Sequence, residues 1–460
     1  MTQNPTSLAP GSAAPLRIIA RADHHISRKN ISNGALRVLY RLNEAGYEAF
    51  LVGGAVRDLL LDGHPKDFDI ATNADPEQVR ALFRNCRLIG RRFRLAHVMF
   101  GREIVEVATF RGVSEDGSGD RHMVAGRLIR DNVYGSIEED AIRRDFTVNA
   151  LYYNIADFSV RDYVGGMTDL ESRTLRMIGD PESRYREDPV RMLRAVRLAA
   201  KLGFTIAPAT AAPLATIGHT LAEAPPARLF DESLKLFLAG HGLAGFRALE
   251  AHALLPDVFP ATAAALNGPH AAGFRALIEQ TLANTDSRVL GNQPVTAAFL
   301  FAALLWEPTR ATAETMIVEG SEPNLAWMRA AAGVLGAQAK RVAIPRRVAL
   351  GMEEIWELQP RFMQRTKKRV FRLLAHPRFR AAYDFLVLRA HESSELAESA
   401  AWWTEAQQLD HETLMRRLSV PVTESGDDES APARRKRPRR RRRKRAGDKS
   451  PEINPPGAGE

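Results

Sequence analysis

The signals for secondary structure change once along this chain of 460 residues, and that change constrains its fold more than any other feature. Residues 16–165 mix strand and helix patterns, whereas from about residue 170 onward only helical patterns follow. The division predicts an α+β fold, in which an N-terminal head with a small mixed β-sheet precedes all-α neck, body and arm domains. The expected segments are a disordered leader at 1–15, the head at 16–165, the neck at 166–226, the body at 227–345, the arm at 346–418 and a disordered tail at 421–460.

Within the head, glycines and prolines separate short strands and helices. The predicted strands are 48–52, 67–72, 96–100, 103–110, 150–155 and 159–164, of which the last four form two hairpins. A helix over 55–61 follows Gly53 and Gly54, and another begins with Asp75 as its N-cap and Pro76 at its first position. Residues 111–135 are polar and rich in glycine, which predicts a mobile loop.

The second half of the chain predicts helices alone. They include 189–202, 227–238, 297–306, 367–374 and 379–390. Residues 207–226 are rich in alanine and proline and are interpreted as a joint. The longest strongly apolar stretch, 295–306, is too short to span a bilayer, so no membrane span is expected.

The basic character of the chain lies in its tail. Residues 434–445 contain eleven Lys or Arg and no acid, so the rest of the chain has a formal net charge of −2 although the whole carries +9. Such a run cannot collapse into a core, and it would bind polyanions by counterion release without choosing RNA over DNA. A solubility tail is the alternative. The candidate polyanion-binding residues are Arg434, Arg435, Lys436, Arg437, Arg439 and Arg440.

Two features bear on location. The first fifteen residues have no basic segment followed by an apolar one, so we expect no signal peptide. Cys86 is the sole cysteine, which excludes a disulfide within the chain. A reducing cytoplasm is therefore the expected setting.

The pair Asp67 and Asp69 is the first candidate for chemistry. In a strand these two side chains share one face, about 7 Å apart, while Phe68 and Ile70 point to the core. Two carboxylates at this spacing can reach shared Mg²⁺ ions, which activate a hydroxyl and neutralise a leaving pyrophosphate. An Asp-x-Asp pair is also common in surface turns, so the neighbouring residues must show whether this pair is catalytic.

The surroundings favour a nucleotide site. Gly53 and Gly54 permit close approach of backbone to phosphate at the start of a helix. Arg57 could contact a triphosphate or form a salt bridge with Asp58. Glu106 lies in a strand pattern that is otherwise apolar, where a carboxylate is costly unless it is paired or binds metal, and an exposed strand end is the alternative.

Two further segments combine charged and amide groups. The first, 143–150, contains Arg144, Asp145 and Asn149, which could bind ribose and phosphates or bring another carboxylate to the metals. The second opens a helix with Asp188 as a predicted N-cap before Pro189. Because Arg191 and Arg194 follow at spacings of three, they share a face with Asp188 and could select a nucleotide base.

Together these motifs resemble the class II nucleotidyltransferases, the group of bacterial poly(A) polymerases and CCA-adding enzymes. The matches in chain order are Gly53-Gly54-x-x-Arg57-Asp58, Asp67-x-Asp69, 106–111, 143–150 and Glu187-Asp188-x-x-Arg191. The resemblance covers roughly residues 16–400. Segments 88–98, 23–28 and 379–386, together with the basic tail, resemble bacterial poly(A) polymerases in particular.

The resemblance implies roles for named residues. Asp67 and Asp69 would bind two Mg²⁺ ions, with Glu106 or Asp145 completing the catalytic site. Arg144 and Asn149 would contact the nucleotide, while Asp188 and Arg191 would read its base. The implied reaction is template-independent transfer of AMP from ATP to RNA 3′ ends of mRNA, regulatory RNA or tRNA precursors, by a monomer that acts in mRNA processing and decay, with RNA-decay machinery among its partners.

Two alternatives stay open from the sequence. A CCA-adding tRNA nucleotidyltransferase would incorporate CTP before ATP and stop after three additions. A non-catalytic RNA-binding protein would keep the fold without the reaction, although the intact carboxylates argue against it. No His-Asp dipeptide occurs in the chain, so the phosphohydrolase domain of some CCA-adding enzymes is not expected.

Overall fold

A computed structural model describes residues 15–90, 94–112, 121–124, 127–131 and 133–419 of the chain. The expected leader and the Arg-rich tail, with Arg434 to Arg440, lie outside the described residues, as do positions 91–93 of the segment 88–98 and most of the glycine-rich part of the expected loop.

The strands are confined to the first half of the chain. They are β1 (Arg17–Ile19), β2 (Ala49–Val52), β3 (Asp69–Thr72), β4 (Cys86–Ile89), β5 (Leu95–Phe100), β6 (Glu103–Thr109), β7 (Arg121–Val124), β8 (Arg127–Asp131), β9 (Leu151–Asn154), β10 (Val160–Asp162), β11 (Thr174–Leu175) and β12 (Thr205–Ile206).

The α-helices of the head and neck are α1 (Asn33–Glu44), α2 (Gly54–Leu60), α3 (Pro76–Leu82), α4 (Ile137–Arg143), α5 (Gly166–Glu171), α6 (Pro181–Glu187), α7 (Val190–Leu202) and α8 (Pro208–Ile217). Those that follow are α9 (Pro226–Phe237), α10 (Gly242–Ala251), α11 (Leu255–Val258), α12 (Pro260–Ala265), α13 (Ala271–Leu290), α14 (Ala297–Leu304), α15 (Trp306–Val318), α16 (Pro323–Ala339), α17 (Arg346–Leu358), α18 (Lys367–Leu374), α19 (Phe379–Arg389), α20 (Ser394–Ala406) and α21 (His411–Arg417). The α+β fold is thus confirmed.

Eight strands form one mixed sheet in the order β1-β10-β9-β2-β3-β6-β5-β4. All neighbouring pairs are antiparallel except β3 and β6, which run parallel. Both predicted hairpins, β5–β6 and β9–β10, are confirmed. The parallel pair brings two separate strands with acidic side chains into register.

The two faces of the sheet pack differently. On one face, Leu51 and Ile70 join the main hydrophobic core together with Val38 and Leu39 of α1. The opposite face carries a smaller apolar cluster that includes Phe50 and residues of α4. Because side chains alternate along a strand, Asp69 lies on the face away from α1.

Four expectations about local structure need correction. The strand predicted to begin at residue 67 begins at Asp69. The predicted loop 111–135 contains the hairpin β7–β8. Residues beyond 170 include one short parallel pair, β11–β12, because Thr205 and Ile206 follow the turn at Gly203 back to the neck. The joint predicted at 207–226 is the helix α8 with a following 3-10 turn.

The helix predicted at 297–306 ends early, at Leu304, and α15 starts two residues later. Pro308 explains the break, because its ring nitrogen cannot donate to the Leu304 carbonyl. That carbonyl instead accepts a hydrogen bond from the Thr262 hydroxyl at 2.7 Å. A long-range side-chain bond therefore replaces the missing helical one.

Candidate active site

A cleft lies where the head sheet meets the neck and α9. Its volume is about 680 Å³. Its wall contains seven arginines and six carboxylates; the arginines are Arg111, Arg143, Arg144, Arg184, Arg191, Arg194 and Arg228. Such a wall matches a polyanionic ligand that also carries hydrogen-bonding groups.

Asp69 and Glu106 lie side by side on the floor of this cleft. They are paired residues of the parallel strands β3 and β6. Phe68 and Ile70 are buried as predicted, so the intervening Asp69 must face the cleft. Asp67 is exposed and precedes β3. The predicted acidic face is thus formed by a strand end together with a neighbouring strand.

Negative charge is concentrated here. Burial raises the pKa of Asp69 to about 6, with the charge of Glu106 acting in the same direction, Arg144 opposing it, and Asp67 adding a smaller increase. Part of Asp69 remains open to the cleft, which is where a cation could enter. A divalent cation would offset the repulsion between Asp69 and Glu106 that adds to the effect of burial.

The donor set fits a metal that is shared with a substrate. Within the described residues, no group of three or more His, Cys, Asp or Glu is arranged to hold an ion by itself. Mg²⁺ commonly uses one or two carboxylates together with substrate phosphates and water, so Asp69, Glu106 and Asp67 suit it when a triphosphate supplies further oxygens.

His97 is a neighbour of this site that the sequence did not single out. It lies opposite Glu106 in the β5–β6 pairing, and its Nε2 atom is 3.4 Å from Glu106 Oε2. The predicted hairpin around Gly101 fixes which residues face each other across the strands. That register could have identified His97 from the sequence.

Gly53 lies directly behind the acidic floor. Its φ of 75° and ψ of −142° favour glycine. A Cβ atom there would stand 3.7 Å from Asp69 Oδ2 and 3.9 Å from Arg144 Nη1. Gly53 therefore lets the backbone turn into α2, which begins at Gly54, close beside the predicted metal site.

Arg57 is buried, which favours the salt-bridge interpretation over a phosphate contact. Its Nη2 atom lies 2.6 Å from Asp58 Oδ1, and it also donates to the side-chain oxygen of Asn149. Neither Arg57 nor Asn149 occurs among the described residues that line the cleft. The hydrogen bond between Arg57 and Asn149 connects α2 to the segment 143–150 and so positions the glycine turn.

Asp145 is neutralised by partners within the protein. Arg194 Nη1 lies 2.8 Å from its Oδ2 atom, while the Phe146 N–H and the Asn149 amide donate to Oδ1. Burial opposes ionisation, but Arg194 and these hydrogen bonds outweigh it and hold the pKa of Asp145 at about 2. Both oxygens are engaged, so Glu106 is the better placed third carboxylate.

Arg144 faces the cleft from a tight hydrogen-bond network. Its Nε atom donates to the Tyr152 hydroxyl at 2.8 Å, and its Nη2 atom donates to Asp140 Oδ2 at 2.9 Å. Burial lowers the pKa of Arg144, but Tyr152 and Asp140 outweigh it and raise the pKa overall. This cation is fixed beside Gly53 and Asp69.

The segment predicted to read a base has a different local structure from the expected N-cap. Helix α7 begins at Val190, after Pro189, and Asp188 instead ends α6. Its two carboxylate oxygens each accept a hydrogen bond from Arg228 at 2.8 Å. The N-cap position of α7 is Pro189, which has no side-chain cap, and the Asp188 carboxylate is instead oriented toward Arg228.

Arg191 is oriented by the neck itself. Its Nη1 atom donates to the Arg184 carbonyl at 2.7 Å and to Glu187 at 2.9 Å. Arg184 in turn donates to the carbonyls of Arg143 and Arg144. Arg184 and Arg228 were missed by sequence reasoning. Arg228 lies forty positions from Asp188 in the chain, and no local pattern reveals such a pairing.

Comparison with known proteins identifies the family of this chain. Residues 49–176 match the family described as "Poly A polymerase head domain", 203–266 match "Probable RNA and SrmB- binding site of polymerase A", and 319–445 match "Polymerase A arginine-rich C-terminus". The poly(A) polymerase I of Escherichia coli is 52% identical over 430 residues, which cover 91% of this chain and 90% of the relative. The chain belongs to the poly(A) polymerase I family.

Other relatives agree with this placement. The poly(A) polymerase I of Haemophilus influenzae is 46% identical over 85% of this chain and 88% of its own length. The CCA-adding enzyme of Lactobacillus gasseri is 38% identical, but over 45% of this chain and 51% of its own length. The resemblance in sequence to poly(A) polymerases therefore covers about twice as much of this chain as the resemblance to this CCA-adding enzyme.

Solved structures share the fold. The Bacillus stearothermophilus CCA-adding enzyme in complex with CTP superposes with a TM-score of 0.53 at 26% identity, covering 85% of this chain and 88% of that one. Within the described residues, no helix has both the length and the apolar composition needed to cross a bilayer.

Proposed function

We propose that this member of the poly(A) polymerase I family transfers AMP from ATP to the 3′-hydroxyl of RNA without a template and releases pyrophosphate. The main support for this proposal is that Asp69 and Glu106 lie side by side on the floor of an arginine-lined cleft. This arrangement presents a metal-binding edge to a triphosphate, and the family relationship assigns the reaction class.

Asp69, Glu106 and Asp67 would hold two Mg²⁺ ions, shared with the phosphates of ATP. When bound, the ions lower the pKa of the attacking 3′-hydroxyl and stabilise charge on the leaving pyrophosphate. Arg144 is held by Tyr152 and Asp140 at a fixed position, so it can bind a phosphate without reorganising.

The nucleotide base would lie against the neck. Arg191 keeps a fixed direction because Glu187 and the Arg184 carbonyl both accept from it. Arg228 does the same for Asp188. A base site whose polar groups are already satisfied and immobile can reject a nucleotide of different size or hydrogen-bonding edge.

RNA would approach across the helical half, the proposed neck, body and arm, and be retained by the basic tail that contains Arg434 to Arg440. The family description of residues 203–266 supports RNA as the partner. We place the reaction in the cytoplasm, carried out by a monomer on mRNA, regulatory RNA or tRNA precursors in concert with RNA-decay machinery.

Substitution of the acidic floor tests the proposal. Asp67→Ala and Asp69→Asn should each abolish AMP incorporation into an RNA primer and the accompanying pyrophosphate release. Arg37→Gln on α1 is the matched control, because α1 packs on the opposite face of the sheet. Intact AMP incorporation in either aspartate variant would contradict the proposed metal site.

A further inference from the structure

A closed ring of polar side chains joins helix α7 of the neck to the head, and Lys201 is the member of this ring that has no part in the site described above. Its Nζ atom lies 3.0 Å from Asp58 Oδ2, while Asp58 Oδ1 accepts from the buried Arg57 at 2.6 Å. Arg57 in turn donates to Asn149. Lys201 is not among the described residues that line the cleft, so it contacts the head at a distance from the proposed nucleotide site.

The ring returns to α7 through Asp145. The Asn149 amide donates to Asp145 Oδ1 at 3.3 Å, and Asp145 Oδ2 accepts from Arg194 at 2.8 Å. Arg194 and Lys201 are seven residues apart on α7, which is close to two full turns, so they share one face of the helix. Two positions on α7 are thus held by two separate segments of the head.

Two attachments along one helix fix the direction of its axis. At the helical rise, Arg194 and Lys201 lie about 10 Å apart along α7. A contact at Arg194 alone would leave the helix free to tilt about that point, and the second contact at Lys201 prevents this tilt. Leu193 and Val196 pack α7 into the main core, but apolar packing is not directional. The polar ring therefore selects one angle between α7 and the head.

The angle of α7 bears on the nucleotide because the start of this helix lines the cleft. Arg191 and Arg194, in its first two turns, are both part of the cleft wall. On the head side of the ring, α2 follows Gly53, where a Cβ atom would stand 3.7 Å from Asp69 Oδ2. The ring thus connects the helix proposed to contact the base with the turn beside the acidic floor.

We propose that Lys201 is a positioning residue for the nucleotide: its pair with Asp58 holds α7 at one angle to the head and so sets the distance between the base-reading residues and the acidic floor. The inference rests on the proposed function, because Arg191 must contact the base for this angle to affect nucleotide choice. A binding constellation must be held within about 0.5 Å of its productive geometry. Loss of the Lys201 contact therefore lowers the preference for ATP over CTP, although Lys201 does not line the cleft.

A purely structural role for Lys201 predicts a different outcome. A lysine in the last turn of α7 also interacts favourably with the negative end of the helix dipole. That interaction would affect the stability of the helix and leave the nucleotide preference unchanged. A variant without the Lys201 charge should fold, because Asp58 keeps Arg57 as its partner and the Lys201 side chain is 38% exposed.

The experiment compares the full-length wild type with Lys201→Met and Lys201→Arg. The dissociation constants of ATP and CTP are measured by titration calorimetry in the presence of Mg²⁺, and urea unfolding is followed in parallel. Because the ion pair is partly exposed, the ratio of the CTP constant to the ATP constant should fall about three- to fivefold in Lys201→Met. Lys201→Arg keeps a cation that can reach Asp58, so it should retain the wild-type ratio. Stability should change little in either variant.

Lys235→Met is the matched control. Lys235 is an exposed lysine of α9, the helix that packs against α7, and it forms no ion pair with any residue that the structure describes. The substitution removes the same side chain without breaking a contact between head and neck. This variant should bind both nucleotides as the wild type does.

Three results would overturn the inference: an unchanged ratio in Lys201→Met, an equal fall in Lys201→Arg, or an equal fall in the Lys235 control. A wild-type protein that binds ATP in preference to CTP but never adds AMP to RNA would refute the proposed function instead. The calorimetric ratio needs no turnover, so it would still report on Lys201, and the two failures are distinguishable.

Discussion

Replacing Asp145 by asparagine distinguishes a structural carboxylate from a metal ligand. In the folded protein Asp145 has a pKa of about 2 against an ordinary value of 3.8. At about 1.4 kcal/mol per pKa unit, this difference corresponds to about 2 kcal/mol of stability. Because the folded-state pKa is the lower one, this stability is present above pH 4 and is lost as pH falls from about 4 to about 2.

Asp145→Asn should therefore lower the free energy of unfolding by about 2 kcal/mol near neutral pH, with the difference from wild type shrinking in acid. Urea unfolding followed by fluorescence measures it. Binding of Mg²⁺ with ATP, measured by titration calorimetry, should persist, because Arg194 and backbone groups already occupy both Asp145 oxygens.

Glu106→Gln is the matched comparison. It neutralises a half-exposed carboxylate beside Asp69, so stability should change little while binding of Mg²⁺ with ATP weakens about tenfold or more. The reasoning would be refuted if Asp145→Asn abolished metal binding at unchanged stability while Glu106→Gln left metal binding intact.

Three further predictions concern the groups that shape the cleft. Arg228→Lys replaces the two guanidinium nitrogens that bind Asp188 with a single ammonium nitrogen, and since Arg228 is partly exposed we expect the preference for ATP over CTP to fall about five- to tenfold in competition kinetics; an unchanged ratio would contradict it. Gly53→Ala forces a side chain into a glycine conformation and should cost about 1–3 kcal/mol in urea unfolding together with most of the activity; full stability would be the wrong result. His97→Gln, which keeps a donor near the Nε2 position, should retain the wild-type Mg²⁺ requirement, whereas His97→Asn should raise it; equal behaviour of the two would exclude positioning of Glu106.

The sequence predicted much of the head because its elements are determined locally. The pair Gly53-Gly54, the Asp75 cap with Pro76, and the turn at Gly101 each favour one backbone geometry over a few residues. The observed capping box at Asp75 and both hairpins follow from such local preferences. Alternation along the strands likewise placed Phe68 and Ile70 in the core.

The same reasoning could not predict contacts between residues that are distant in the chain. The residues near Asp188 predicted that it is the N-cap of α7. In the structure its carboxylate pairs with Arg228, and Pro189 is the N-cap of that helix. The early end of α14 has a local cause in Pro308, but Thr262, which donates to the Leu304 carbonyl there, is distant in the chain. In both places a distant partner satisfies a polar group, and no nearby residue indicates that partner.

The same distinction applies to the acidic site. The strand patterns identified Asp67, Asp69 and Glu106 as candidate site residues. They could not show which of these residues lie side by side, because the parallel register of β3 with β6 depends on the whole sheet. The choice between Glu106 and Asp145 required the contacts of Asp145 with Arg194 and Asn149. The burial of Arg57, which could not be read from the sequence, favours its salt bridge with Asp58 over a contact with phosphate.

The most direct test of the account is a nucleotide-preference ladder on an unstructured RNA primer, run with each nucleoside triphosphate alone and with ATP and CTP together. The account predicts that ATP alone extends the primer well beyond three additions, and that Asp69→Asn shows no extension. Incorporation of CTP followed by a single A, with a stop after three additions, would identify a CCA-adding activity and contradict it. Primer binding without extension by any nucleotide would contradict catalysis altogether.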